Sequence, residues 1–514
     1  MASRPATAQA TAGRDYGIPF VIGASSAGTV IEWYDFYLYA LLTPFLAPLF
    51  FPSDNPTASL LAAFAVYGAG FAVRPFGAIV FGRIGDVIGR KYAFLLTVSI
   101  MGGATLIVGL LPTYAQIGIL APAILVTLRL LQGLALGGEY GGAAIYVAEH
   151  APDDKRGLYT SWIQTTATVG MFAGLAIILG TRLAFGDDTY RAWGWRVPFW
   201  LSAILVIGAL YIRARLQETP VFQRVKAAGQ TARTTTDWAR ESFSGNRVGI
   251  ILLVLIGMTA GQAVVWYQGQ FQALFFLSSL MKVNFVSAYT ILLIAIACAT
   301  PFFIVFGWLS DKIGRKPVIL GGCLLAAITY VPIYQAMLAN GNLTFDAAGK
   351  IAGANPNMVA MTLLVWIQII YVTMVYGPIA AFLVEFFPAR IRYTSLSIPY
   401  HLGNGEFGGW LPTIFLGLVA ATIAGAGHIP FLGLDLRFLN PSGDPNGNLL
   451  AGLIYPIAVA LMSVVVGGLF IPETKDRKIW DEVHAMEEQA GLAPPSDSIA
   501  GAAREAHASG GLAG

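Results

Sequence analysis

The chain has 514 residues, of which 56% are hydrophobic and only 11% charged, with a formal net charge of +3. Soluble domains carry about a quarter charged residues, so a mean hydropathy of +0.66 excludes a soluble globular protein and leaves the bilayer as the solvent that fits. No basic tract suits nucleic acid, which excludes that class of partner.

A helix that crosses a membrane needs about 20 mostly apolar residues. In chain order such stretches are predicted at 20–49, 58–81, 92–112, 120–149, 158–181, 196–215, 248–280, 287–310, 317–339, 358–387, 394–425 and 450–471. A polar N-terminal tail (1–19) precedes the first, and the apolar run after it is too long for a cleavable signal. The polar stretch 216–247 divides the chain into a six-helix bundle over 20–215 and a second over 248–471, followed by a polar tail over 472–514. The expected fold class is an all-α membrane protein of twelve transmembrane helices in two pseudo-symmetric bundles.

Orientation follows from Lys and Arg, which concentrate on cytoplasmic loops. Of 31 such residues, 23 fall on the side of the termini and the 216–247 loop, and six on the other. Both termini are therefore expected in the cytoplasm. The loops 340–357 and 427–448 are expected outside; the sequence assigns them no role. Cys298 and Cys323 lie in apolar stretches and read as buried packing residues.

The two halves echo each other. GRIGDVIGRK at 82–91 returns as GWLSDKIGRK at 307–316, so Gly82, Asp86, Gly89 and Arg90 match Gly307, Asp311, Gly314 and Arg315. Glu149 and Arg156 match Glu385 and Arg392, and Glu218-Thr219 matches Glu473-Thr474. Internal repeats of this kind are the architecture of alternating-access transporters. The glycines allow a tight turn and close helix approach. The aspartate can meet a neighbouring helix N-terminus, and the arginine a carboxylate. Such contacts would hold the cytoplasmic side shut in one state. The plainer reading of the same residues is topogenic positive charge.

The G-x-x-x-D-x-x-G-R-K loop in both halves resembles the signature of the major facilitator superfamily. GTVIEWYDFYLYA ending at Ala40, RPFGAIVFGRIGD (74–86), RLLQGLALGGEYGGA (129–143), WGWRVPFWLSA (193–203), LVEFFPARIRYTSLSIPYHLG (383–403) and IPETKDR (471–477) narrow the resemblance to the metabolite:proton symporter family. That family includes α-ketoglutarate, shikimate, citrate and proline/betaine carriers. The resemblance implies a secondary active symporter with a proton as the coupling ion, no other cofactor, and a monomer in the inner membrane. A small organic solute, foremost a carboxylate, would be the partner. The competing readings are proline/betaine uptake and a nutrient sensor that binds without transporting. The tail shows no sustained heptad, unlike that of osmosensory members.

Ionisable residues at bilayer depth are costly and are functional candidates by default. Glu32 and Asp35 share one face of the first span, and Arg129 lies on the fourth. Tyr34-Asp35 and Arg129 resemble the helix 1 acid and helix 4 arginine of related sugar–proton symporters. The resemblance implies a coupling pair; a fixed structural pair is the alternative. Glu139 among glycines is a second candidate for the proton or for a gate; Glu32 is a candidate for a bond within the half, with a part in proton coupling or the solute cavity as its other reading. Arg74 is expected near the cytoplasmic end as a snorkelling or gate residue, with attraction of an anionic substrate as its other role. Tyr267, Gln268 and Asn404 are candidates to line a solute cavity, while His401 reads as a packing residue. No P-loop, catalytic triad or metal-ligand spacing is present, so neither an enzyme nor a metal site is expected.

Overall fold

The computed structural model describes residues 18–87, 90–138, 144–145, 147–148, 151–215, 245–388, 392–423 and 436–479. The first half contains α1 (Ile18–Phe50), α2 (Pro56–Ala72), α3 (Arg74–Val87), α4 (Arg90–Leu110), α5 (Leu120–Gly137), α6 (Arg156–Phe185) and α7 (Val197–Arg215). The second contains α8 (Arg247–Leu280), α9 (Phe285–Ala299), α10 (Pro301–Ile313), α11 (Arg315–Ala339), α12 (Met358–Tyr376), α13 (Ile379–Phe386), α14 (Arg392–Leu402), α15 (Leu411–Ala420) and α16 (Ile454–Phe470). Every predicted span lies on helix over most of its described residues. Eight helical segments among the described residues are long and apolar enough to cross a membrane, and two further apolar helices are shorter.

Three predicted spans are each broken into two helices, and each break lies beside a proline. The first is at Val73, before Arg74-Pro75; the second at Thr300-Pro301; the third at Gly377-Pro378. Proline removes a donor and crowds the preceding turn, so a helix stops and restarts there. The first two breaks occupy the second span of each half and so belong to the repeat. α8 runs unbroken but widens into π-helical turns at Leu255–Thr259, Gln268–Gln272 and Phe276–Leu280. A fourth such turn, Gly403–Gly409, joins α14 to α15.

Within the first half, α1 packs on α6, α4 on α7, and α2 and α3 on α5. The last contact is backbone to backbone. A Cβ on Gly133 would lie 1.6 Å from the Gly70 carbonyl oxygen, and one on Gly137 would lie 2.1 Å from that of Arg74. Small residues permit this approach where packing, not water, drives helix association. In the second half, α12 packs on α9 and α11, and α16 on α8 and α11. The halves meet where α6 crosses α9 and α10, α2 meets the Gly403–Gly409 turn and α15, and α3 meets α14.

Large apolar side chains are turned outward over the flanks, including Phe76, Ile107, Ile204, Ile328, Val359 and Leu469. Patches of this extent suit lipid rather than water. Cys323 is buried as expected, but Cys298 is exposed, because its face of α9 is turned away from the bundle. The 340–357 loop departs from the all-α expectation. It holds an antiparallel hairpin, β1 (Leu343–Phe345) with β2 (Ile351–Ala354). Asn446 from the second long loop accepts from the Ile351 N–H at 2.8 Å and donates to the Gly349 carbonyl at 3.0 Å. That tie supplies partners for hairpin backbone groups which the sequence pattern alone does not reveal.

Candidate functional site

At the end that carries the loop motifs, the halves are clasped by buried charges. Glu385, at the end of α13, accepts from Arg156 of the first half at 3.0 Å and from Arg315 of the second at 3.0 and 3.2 Å. Thr474 donates to the same carboxylate at 2.8 Å. Arg156 also pairs with Asp153. Asp311 takes the backbone N–H groups of Gly157 and Leu158, both at 2.8 Å, and a 2.6 Å bond from Arg315. It therefore caps the N-terminus of α6 from across the junction, where the helix dipole favours an anion. Glu473 does the same for α11, accepting from the Arg315 and Lys316 N–H groups at 2.8 and 3.0 Å. Gly314 has φ +111°, and a Cβ there would lie 2.4 Å from Glu473 Oε2, so glycine is required on both counts.

Gly307, the first motif glycine of the second half, faces Gly157. A Cβ on it would lie 2.5 Å from Ser161 and 2.6 Å from the Gly157 carbonyl oxygen. Further along the junction, Gln164 donates to the Tyr376 carbonyl at 3.0 Å and Gln270 to Thr168 at 3.4 Å. Tyr289 donates to the Leu41 carbonyl.

The middle of the junction is built around Arg74. The break at Val73 sets it at the first position of α3, and the contacts of Gly133 and Gly137 press that turn against α5. Its guanidinium lies 3.8 Å from the centroid of Phe71, 4.5 Å from that of Phe36 and 5.9 Å from that of Trp33. It is fully buried, and among the described residues none of its three nitrogens has a hydrogen-bond partner. The snorkelling expectation is thereby corrected: long-range packing of α3 against α5 and α14 closes over the side chain.

Tyr37, Tyr67, Tyr267 and Tyr400 lie within its field, as does His401. The Tyr37 and Tyr67 hydroxyls, Trp266 Nε1 and both His401 nitrogens are likewise buried without partners. Trp266 sits 5.6 Å from Tyr37 and 6.0 Å from Tyr376, ring to ring, and the Tyr376 and Tyr400 hydroxyls share a 2.7 Å bond. Buried polar groups in native proteins are normally satisfied. A concentration of unsatisfied donors about one guanidinium is suited to an anion with oxygen acceptors.

On the side away from the loop motifs, a cavity of about 520 Å³ opens between the halves. Phe45, Arg182, Asp187, Arg191 and Phe285 are among its lining residues. Arg182 donates to Asp187 at 2.6 Å and holds that carboxyl below its usual range.

The other predicted residues are placed as follows. Asp35 is completely buried, with no hydrogen bond to either oxygen. Arg129 is buried too, but it reaches the Phe36 carbonyl at 3.4 Å and lies 4.2 Å from the Tyr39 ring centroid. The direct Asp35–Arg129 ion pair is thus not formed in this conformation: the guanidinium leans on α1 backbone and an aromatic face, with Nε and Nη2 left unpaired. Tyr267 joins the central cluster, stacked on Phe271 with its edge on Phe71. Gln268 points instead into the second half, donating to Tyr334 at 2.7 Å. Asn404 pairs with Gln262, donating at 3.2 Å. Arg392 donates to the Phe387 carbonyl at 3.0 Å and thereby holds the turn after α13.

The side chains of Glu32, Asp86 and Arg90, and the surroundings of Gly82, lie outside the described residues, as do Gly89, Glu139 and Glu149 altogether. Tyr37, Tyr67 and Tyr376 were not singled out by the sequence, since aromatics in a span are more often packing or interfacial residues. The Glu473-Thr474 echo was visible, but only the fold gives it a partner.

Two packed halves around this centre have the major facilitator fold. The *E. coli* xylose transporter XylE in a partially occluded inward-open form superposes with TM-score 0.64 at 17% identity, covering 90% of this chain and 99% of that one. The model for the sugar (and other) transporter family matches residues 20–483, and the chain belongs to that family. It is a secondary active membrane transporter, not an enzyme. Curated relatives include the *Escherichia coli* α-ketoglutarate permease, 35% identical over 77% of this chain and 86% of its own length. The citrate–proton symporter of *Salmonella typhi* is 33% identical over the same shares. The *E. coli* proline/betaine transporter is 32% identical over 78% of each.

Proposed function

We propose that the protein imports a small organic carboxylate together with protons across the cytoplasmic membrane of a bacterium. In this reading it works as a monomer that crosses the bilayer twelve times, both termini are cytoplasmic, and the proton is the only coupling ion. The observation that carries the substrate class is Arg74: a fully buried guanidinium at the junction of the halves, with no hydrogen-bond partner among the described residues and with unpaired donors beside it. A buried unpaired charge is costly unless a counter-charge joins it. A carboxylate is the simplest group that supplies the charge and two acceptors. The names of several relatives support the same class.

Asp35 is the proposed proton carrier. A carboxyl buried near an arginine but not bonded to it changes its affinity for a proton whenever that arginine moves. The clasp at Glu385 and Asp311 closes the cytoplasmic side, and its opening releases the solute inward. A zwitterionic osmolyte is the second reading, favoured by the proline/betaine relatives.

The test is binding of organic acids to purified protein, wild type against Arg74→Gln and Arg74→Lys. A charge-assisted bond is worth about 1.5–3 kcal/mol, so Gln should weaken acid binding roughly tenfold to a hundredfold, with Lys intermediate. Undiminished binding of acids by Arg74→Gln would remove the basis for the carboxylate reading.

A further inference from the structure

Given the carboxylate reading, we infer that the central site selects a cyclic monocarboxylate over di- and tricarboxylates. Two independent features lead there: the number of charges at the junction and the shape of its walls.

Among the described residues, Arg74 is the one buried cation without any hydrogen bond. Arg156, Arg182 and Arg315 are held in ion pairs with Asp or Glu; Arg129 bonds the Phe36 carbonyl, keeps Nε and Nη2 unpaired, and has Asp35 within its field. The repeat supplies no second cation. Where the first half has Arg74-Pro75 at its helix break, the second has Thr300-Pro301. The proline is shared and the arginine is not. With Arg129 set against Asp35, Arg74 is the guanidinium left without a counter-charge among the described residues, and it matches one carboxylate. Each further carboxylate would enter a buried site with no counter-charge, which disfavours binding strongly. The groups whose charge acts on Arg74 are phenols and the His401 imidazole. With no carboxylate among these described residues, a substrate ammonium would lack an ionic partner.

The walls are flat and aromatic. Trp33, Phe36 and Phe71 flank the guanidinium. Tyr37, Trp266 and Phe271 face one another at ring separations of 5.1 to 5.7 Å. Such surfaces favour a ring, stacked or edge-on, over a flexible chain. The polar atoms of this wall stand at the ring edges: the Tyr37 and Tyr67 hydroxyls and Trp266 Nε1, all unpaired. They are placed to meet hydroxyl or oxo substituents on such a ring.

The experiment measures, by thermal shift of the full chain in detergent, the concentration of each probe that gives half the maximal stabilisation. The probes are benzoate, 4-hydroxybenzoate, cyclohexanecarboxylate, butyrate, 2-oxoglutarate, citrate and glycine betaine. The ring monoanions should act at concentrations at least tenfold below those of 2-oxoglutarate and citrate, and below that of butyrate. Trp266→Leu should erase the advantage of the rings over butyrate, while Tyr37→Phe should weaken 4-hydroxybenzoate several-fold more than benzoate. If 2-oxoglutarate or citrate acts at or below the ring acids and depends on Arg74, the ring and single-charge inference is overturned while the carboxylate reading stands. If glycine betaine alone binds, or no acid binds, both are overturned. Retained ring preference in Trp266→Leu together with unaltered 4-hydroxybenzoate binding in Tyr37→Phe would overturn the role given to this wall.

Discussion

Glu385 carries more of the closed state than any neighbouring side chain, because it is the counter-charge of two buried arginines from opposite halves. Its side chain is completely buried, and so is that of Arg156. Removing one partner from a buried ionic network typically costs about 3–5 kcal/mol, mostly because the remaining charge is left without compensation. Glu385→Gln keeps one acceptor oxygen and loses the charge. We expect it to open the loop-motif end at equilibrium, slowing exchange at least tenfold while solute binding changes less than threefold. Equal losses in exchange and binding would instead mean that Glu385 holds the fold rather than the gate. Arg74 stands in contrast. It has no such partner among the described residues, and for that reason it is the residue we propose for binding the solute.

The elements are arranged so that small residues set how closely the halves can meet. α6 and α10 touch through Gly157 and Gly307, with no room for a β-carbon on the second. Gly307→Leu should therefore hold this end apart without removing any charge. The measurement is the rate at which a membrane-impermeant maleimide labels Gln164→Cys from the loop-motif side, with both native cysteines replaced. Gln164 is buried and bonded across the junction to Tyr376. Labelling should rise at least fivefold in the Gly307→Leu background. An unchanged rate would show that closure here does not depend on the glycine contact.

At the scale of the whole molecule, much of the design is legible in the sequence, for reasons that can be named. Long apolar runs report the helices because lipid leaves the backbone no other partner. The repeated G-x-x-x-D-x-x-G-R-K loop anticipated an aspartate at a helix N-terminus and an arginine on a carboxylate, as Asp311 and Arg315 display. What escaped depends on contacts distant in the chain. Arg74 lies eight residues before Gly82 and reads as near the loop. Only the packing of α3 between α5 and α14 buries it. Gln268 and Tyr267 are adjacent and so point about 100° apart on the helix; only the packing shows that one turns to Tyr334 and the other to Phe71. The hairpin at 343–354 follows no strong strand pattern and is fixed by Asn446, some 95 residues away.

The most direct test of the central claim, that movement of a carboxylate is tied to movement of protons, is pyranine fluorescence inside proteoliposomes. The probes are organic acids that do not cross the bilayer unaided, at equal pH on both sides. A transported acid should acidify the lumen in the wild type. In Asp35→Asn it should still bind, and exchange across the membrane, without acidifying the lumen. Acid uptake with no proton entry in the wild type would contradict symport, and full proton entry in Asp35→Asn would place the coupling on another residue.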